Sequence, residues 1–352
     1  TDQATYDQLL HVKNRCIDAD AVKQANQIVV NAILDARDPD LWGEVGTSCA
    51  SDSKQFRAWD GNPLSEYHVR YKGRGIMIYW HVENGSVCVY SHPKSVSAPE
   101  TGSMIAGVLK HASKLKIDTQ YVDSHGQTEV GFAFSKLLGF DLAPRIKNIA
   151  DCKLYLPSSS FRSSLKDLTP VLTRAINWNL IREQYSEMVK YAVAMKVGTA
   201  QPENILSRFS RSDLMHPTYA ALAELGRAMK TIFICRYLRS ERFRREIQKG
   251  LNVMENWNSA TNFIYFGKSG EFSSNRREDQ ELSVQALHLL QNCMVYVNTH
   301  MYQSILSDPA LRAKLSPDDL RAITPLIFAH VNPYGRFDLD MEKRLEYAPA
   351  RA

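Results

Sequence analysis

YVDSHG, residues 121–126, closes an apolar run on an aspartate, a histidine and a glycine. Why a strand should end on a carboxylate, with no turn-forming proline and no obvious partner for the charge, is the question that decides the fold. Upstream, ETGSMIAGVLKHASKLKI (100–117) spaces Met104, Ile105, Val108, Leu109 and Leu115 along one helical face, with Glu100 near the positive end of the helix. Downstream, a second helix is read from about 127 to 139, closing on Gly139, a residue suited to a helix C-terminus. Helix, strand and helix in succession make a crossover unit, and Asp123 stands where its strand ends.

Working outward, GIMIYWHVENGSVCVYSHP (75–93) gives two apolar runs around Asn84-Gly85, the strongest short-range hairpin signal. Three strands are expected here, around 47–57, 68–82 and 86–92, and a fifth strand near 142–149. The order β-β-β-α-β-α-β implies a mixed sheet with helices packed on it. Residues 5–37 carry apolar positions at helical spacing. Residues 158–249 are strand-poor, with helices expected near 163–176, 179–197, 201–210 and 217–245. Gly267-Lys268-Ser269-Gly270 suggests a second hairpin, with the aromatics of TNFIYFG in its core, and a long helix follows from about 278 to 306. The chain is therefore divided into a leading helical segment (1–46), a first core part (47–157), a helical insertion (158–249) and a second core part (250–352).

The 352 residues are 44% apolar and 23% charged, as in a soluble globular protein, and the net charge is +5. Basic residues bunch in RYKGRG (70–75), RYLRSERFRREIQK (236–249) and NRR (275–277), which fits a polyanion-binding face as well as solvated helix faces. The six cysteines are scattered without a C-x-x-C pair, so neither a zinc ribbon nor a disulfide framework is indicated, and they are read as reduced, buried, cytoplasmic thiols. The most apolar helical segment is broken by Gln285, His288, Gln291, Asn292 and Asn298, residues costly in lipid. No secretion signal is recognisable. The chain does not begin with methionine, and is read as a segment of a longer protein.

Two acids occupy comparable places: Asp52 within the first strand and Asp123 at the end of the fourth. If the strand after the crossover helix pairs beside the first, they are neighbours, and two close carboxylates call for a cation, with oxygen ligands selecting magnesium or manganese. The alternatives are an edge-strand acid in water for Asp52 and a helix N-cap for Asp123. A third carboxylate is offered by Glu255 in GLNVMENWN, an otherwise uncharged run, with Glu246, Glu278 and Glu281 as competitors.

The succession SDSKQF, GIMIYWHV, VDSHG, GFAFSKLLGFDLAPRIKNI, KLYLP, TIFICRYL, RREIQKGLNVMENWNSATNFIYFGKSGEF, NRREDQE and VNPYGRFDLDM closely resembles the C-terminal catalytic region of transposases from the class II, Tn-three-type replicative transposons, over about residues 5–347. The resemblance implies an RNase H-like α/β fold, a mixed five-stranded sheet with flanking helices, and a helical insertion before the last catalytic acid. It places the DDE triad on Asp52, Asp123 and Glu255 as ligands of two Mg2+ ions, for which Mn2+ can substitute. The implied reaction is nicking at transposon 3′ ends and strand transfer into target DNA. The implied partners are the terminal inverted repeats, the target DNA and a second protomer on paired ends. Ser53 stands where the family often has glycine after the first acid. His125 is a candidate for the scissile phosphate, against a capping or packing role, and Arg244, Arg245, Lys249, Arg276 and Arg277 are candidates for phosphate contacts. A non-catalytic DNA-binding descendant and a nuclease of the same fold are the alternatives.

Overall fold

The structure, a computed structural model, describes residues 4–43, 46–58, 61–62, 65–69, 72–111, 113–210, 216–265, 271–272, 274–332, 335, 340 and 342–343. The chain opens with helices α1 (Tyr6–Cys16), α2 (Ala19–Ala36) and α3 (Pro39–Trp42). A capping box between Thr5 and Gln8 starts α1, which buries none of its residues. Asp18 caps α2, which buries Asn26, Val30, Ile33 and Leu34.

Strands β1 (Ser48–Arg57), β2 (Glu66–His68), β3 (Gly73–Glu83) and β4 (Val87–Lys94) follow, then α4 (Glu100–Lys110), β5 (Thr119–Val122), α5 (Glu129–Leu138) and β6 (Asp141–Pro144). They build a six-stranded mixed sheet in the order β2-β3-β1-β5-β6, with β4 also paired to β3. The β1–β3 and β3–β4 pairs are antiparallel, and the β1–β5 and β5–β6 pairs are parallel. Asn84-Gly85 turns the β3–β4 hairpin as its sequence predicts. A Cβ on Gly85 would fall 2.4 Å from the guanidinium of Arg37, which donates to the Gly85 carbonyl and to Glu83, and the left-handed residue of the turn is Ser86, with φ of 74°. Gly139 ends α5 with φ of 89°, in the left-handed conformation expected of a closing glycine.

Three expectations are corrected. The strand expected over 68–82 is divided into β2 and β3, giving six strands instead of five. The helix expected near 163–176 is two short 3-10 turns followed by β8 (Leu172–Ala175), which pairs parallel with β7 (Leu154–Leu156). Serines supply the local hydrogen bonds that compete with a regular helix, Ser158 capping the first turn. The expected second hairpin is replaced on its leading side by helix, while its turn at 267–270 lies outside the described residues.

The chain continues with α6 (Trp178–Glu183), α7 (Tyr185–Lys196), α8 (Pro202–Ser210) and α9 (Pro217–Arg239). Ser240 then caps α10 (Glu241–Ile264), ending the helix expected over 217–245 six residues early. The boundary expected after 249 falls inside α10. Helix α11 (Arg277–Leu306) agrees with the expected long helix, and α12 (Pro309–Arg312) and α13 (Pro317–Ala322) follow. No helix among the described residues is long and apolar enough to cross a membrane. Cys49 and Cys88 are buried, but Cys16 and Cys235 are exposed, which corrects the expectation of uniformly buried thiols.

The core lies on both sides of the sheet. Trp80 of β3, Trp257 of α10 and His288 of α11 pack edge to face on one side, with both tryptophans fully buried. On the other side Tyr79, His81 and His92 meet Ser103 of α4 or one another, and burial pushes both histidines down to about 3, so they stay neutral.

Candidate active site

Strand register brings the first two acids together. Ser51 of β1 pairs with Val122 of β5 in parallel register, so Asp52 and Asp123 are the next residues on adjacent strands. Parallel neighbours lie about 4.8 Å apart. Asp123 keeps an extended backbone, φ −71° and ψ 174°, so alternation carries both side chains to one face of the sheet. Asp52 is opposite Trp80 in the β1–β3 ladder, and Trp80 packs against Trp257. The acids therefore share the face covered by α10.

Helix α10 supplies Glu255 two residues before that tryptophan. Gly250, one and a half turns earlier, lets the helix approach β5: a Cβ would fall 2.4 Å from the Tyr121 ring. Buried Leu251, Met254 and Trp257 hold one face of the helix to the core, while Glu255 is exposed at the strand ends.

A cation already sits among these carboxylates. Arg145, the residue after β6, is 3.1 Å from an Asp123 oxygen and 4.0 Å from Glu255, and Lys147 lies 3.4 Å from the other Asp123 oxygen. Burial raises the Asp123 pKa, but the Ser124 N–H, Arg145 and Lys147 outweigh it, so its carboxyl lies below the ordinary aspartate value. The helix after Gly126, α5, is capped by Thr128, whose side chain accepts from the Gly131 N–H at 3.0 Å, which removes the N-cap alternative for Asp123. The Asp52 side chain accepts from the Ser53 N–H at 2.8 Å. Lys54, two residues on, is lowered by burial against the raising effect of Asp52. Ser53 points to the opposite face, where its hydroxyl donates to Glu100 at 2.7 Å.

Carboxylate oxygens are the hard donors that suit Mg2+ or Mn2+, so the chemistry of Asp52, Asp123 and Glu255 fits a divalent ion. Among the described residues no group of three or more His, Cys, Asp or Glu side chains stands in ready-made metal-holding geometry. Asp52 and Asp123 thus follow a paired position on adjacent parallel strands, and Arg145 stands between Asp123 and Glu255.

The remaining candidates are dispersed. The backbone of His125 lies in the Ser124–Gly126 turn, and its side chain is outside the described residues. Arg244 donates to the Tyr237 and Leu238 carbonyls at the end of α9, Arg245 pairs with Glu241, and Lys249 is exposed on α10. Arg276 and Arg277 begin α11, where Arg277 pairs with Glu281. Glu246, one competitor for the third acid, pairs with Arg242 on α10. Sequence reasoning missed Arg145, Lys147 and Lys54. The signal was present in LAPRIKNI, where Arg145 and Lys147 alternate directly beyond the sheet strand next to Asp123.

A family profile described as the Tn3 transposase DDE domain matches residues 1–337. The chain is 29% identical over 340 residues to the transposase for transposon Tn1546 of Enterococcus faecium, covering 96% of this chain and 34% of that protein. It is 30% identical to the transposase for transposon Tn501 of Pseudomonas aeruginosa, covering 87% and 31%, and 24% identical to the transposase for transposon gamma-delta of Escherichia coli K12, covering 99% and 35%. The chain spans about a third of the length of these relatives. With that family profile matching nearly its whole length, the chain belongs to the Tn3 transposase DDE family.

Proposed function

We propose that this chain is the catalytic region of a DDE transposase that nicks DNA at the 3′ ends of a transposon and joins those ends to target DNA in replicative transposition. The observation that carries the reading is that Asp52 and Asp123 follow directly on the last pair of the parallel β1–β5 ladder, with Glu255 linked to Asp123 through Arg145. The topology of three antiparallel strands, β1, β3 and β4, leading into the parallel β5 and β6 supports an RNase H-like core.

Asp52, Asp123 and Glu255 are the residues that would hold two divalent ions. When bound, such ions lower the pKa of an attacking hydroxyl and neutralise the leaving oxygen. The strands supply rigid posts for two carboxylates, so their spacing is fixed before substrate arrives. The exposed Glu255 approaches from α10 and completes the acidic set from the solvent side. Phosphodiester exchange depends mainly on positioning and charge, for which no covalent protein intermediate is needed. Arg244, Arg245, Lys249, Arg276 and Arg277 are retained as candidate contacts to DNA phosphates. The partners in this reading are terminal inverted repeats and target DNA, engaged by a homodimer on paired ends in the cytoplasm.

Strand transfer by the full-length protein that carries this chain, with pre-nicked transposon ends and Mg2+, tests the reading. Asp123→Asn and Glu255→Gln should each reduce joining at least about a hundredfold while DNA binding persists, the scale on which electrostatic transition-state groups act. Native-level joining by either variant removes that acid from the site. DNA binding without joining by the unaltered protein would favour the non-catalytic descendant.

A further inference from the structure

We propose that Arg145 is a resident cation of the catalytic pocket, a positioning residue that holds Asp123 and Glu255 together and competes with divalent ions for their oxygens. This rests on the metal-site reading above and goes beyond it by assigning a role to a residue outside the acidic triad. Arg145 is delivered by the sheet. Val122 pairs with Pro144 in the β5–β6 register, and the Arg145 N–H continues the ladder by donating to the Val122 carbonyl at 2.9 Å. The guanidinium consequently emerges beside Asp123, donating through Nε at 3.3 Å and through Nη2 at 3.1 Å to the same oxygen, Oδ1. Its Nη1 lies 4.0 Å from Glu255, an ion pair without a hydrogen bond, so one planar group bonds an acid at β5's end and faces an acid on α10.

The chemistry makes occupancy by guanidinium and metal mutually exclusive. A magnesium ion sits about 2.0–2.1 Å from a ligand oxygen, and the Oδ1 lone pairs now accept two N–H groups. Arginine cannot yield by losing its proton, so the side chain must swing out when an ion takes that oxygen. Its side chain is 31% exposed, which leaves a route to solvent or to a DNA phosphate. Lys147 touches only Asp123, at 3.4 Å, and is 52% exposed, so screening leaves it the weaker competitor. Before an ion is bound, Arg145 offsets the repulsion between carboxylates. During binding, the same contact lowers metal affinity.

The test is Mn2+ titration of the full-length protein, followed by the electron paramagnetic resonance signal of free Mn2+, together with thermal unfolding with and without Mn2+. Arg145→Gln should bind Mn2+ about tenfold more tightly, a 1.4 kcal/mol change. It should also unfold at a lower temperature without Mn2+ and gain more from adding it. Arg145→Met provides a second neutral variant should the first fold poorly. Lys147→Ala removes the same charge without the bridge, and should change affinity less than about twofold. Unchanged or weaker Mn2+ binding in both Arg145 variants, or an equal gain in Lys147→Ala, overturns the assignment. Loss of Mn2+ binding in Asp123→Asn, with no response to Arg145, defeats this inference alone. Mn2+ binding indifferent to Asp123→Asn defeats the metal site and this inference with it.

Discussion

Trp257 shows how closely the proposed chemistry depends on packing. It is completely buried, meets Trp80 at a ring separation of 5.9 Å and His288 at 6.4 Å, and stands two residues after Glu255. Truncation of a core tryptophan costs about 3–5 kcal/mol through lost burial and a residual cavity. Trp257→Ala should therefore lower the chemical unfolding free energy by that amount, measured by urea denaturation, and release α10 from the sheet. A loss below about 1 kcal/mol would mean that the helix carrying Glu255 is held by other contacts. The sequence set Glu255 apart as an acid in an otherwise uncharged run. Arg145 and Lys147 alternate beyond a strand in it, but their contact with Asp123 depends on β6 lying beside β5, a pairing between residues more than twenty positions apart. The Asp123 alternatives were separable only by geometry: an N-cap and a strand-end ligand read alike until the direction of the carboxylate is known.

Among elements, one buried carboxylate ties α9 to β8 and to the start of α6. Glu224 of α9 accepts from Arg174 of β8, from the Asn177 N–H before α6 at 2.9 Å, and from Arg227 at 2.6 Å. Arg227 also reaches Glu129 at the start of α5, at 3.1 Å. Burial raises the Glu224 pKa, but Arg174, the Asn177 N–H and Arg227 overcome it and bring the group down from 4.5 to about 2. Because the folded value is depressed, the carboxylate's stabilisation is fully present above pH 4.5 and is lost as pH falls toward 2. The shift corresponds to an amount on the order of 3 kcal/mol. Thermal unfolding between pH 5 and 2 should therefore steepen in the native protein and flatten in Glu224→Gln. Identical pH profiles would remove Glu224 as the fastening. This network was illegible in the sequence, where Arg174, Glu224 and Arg227 are scattered over an apparently all-helical stretch. The small β7–β8 pair that presents Arg174 has too few residues for a period-2 signal.

At the scale of the molecule, local signals and long-range consequences separate cleanly. The Asn84-Gly85 hairpin, the α4–β5–α5 crossover and the glycine stop at 139 were readable because turn chemistry and hydrophobic period agree there. The leading arm of the second expected hairpin is helical because Leu251, Met254, Trp257 and Ile264 recur at helical spacing and bury one face of α10, a tertiary demand that overrides the β-rich composition of TNFI. In the proposed site, a helix lying over the sheet brings Glu255 to the end of β5 beside Arg145. The most direct measurement is the anomalous diffraction of Mn2+ in crystals of the full-length protein bound to a pre-nicked transposon end. Two peaks roughly 3.5–4 Å apart, bounded by Asp52, Asp123 and Glu255, are predicted. Ordered Mn2+ elsewhere, with any of the three carboxylates outside coordinating distance of both ions, would contradict the account.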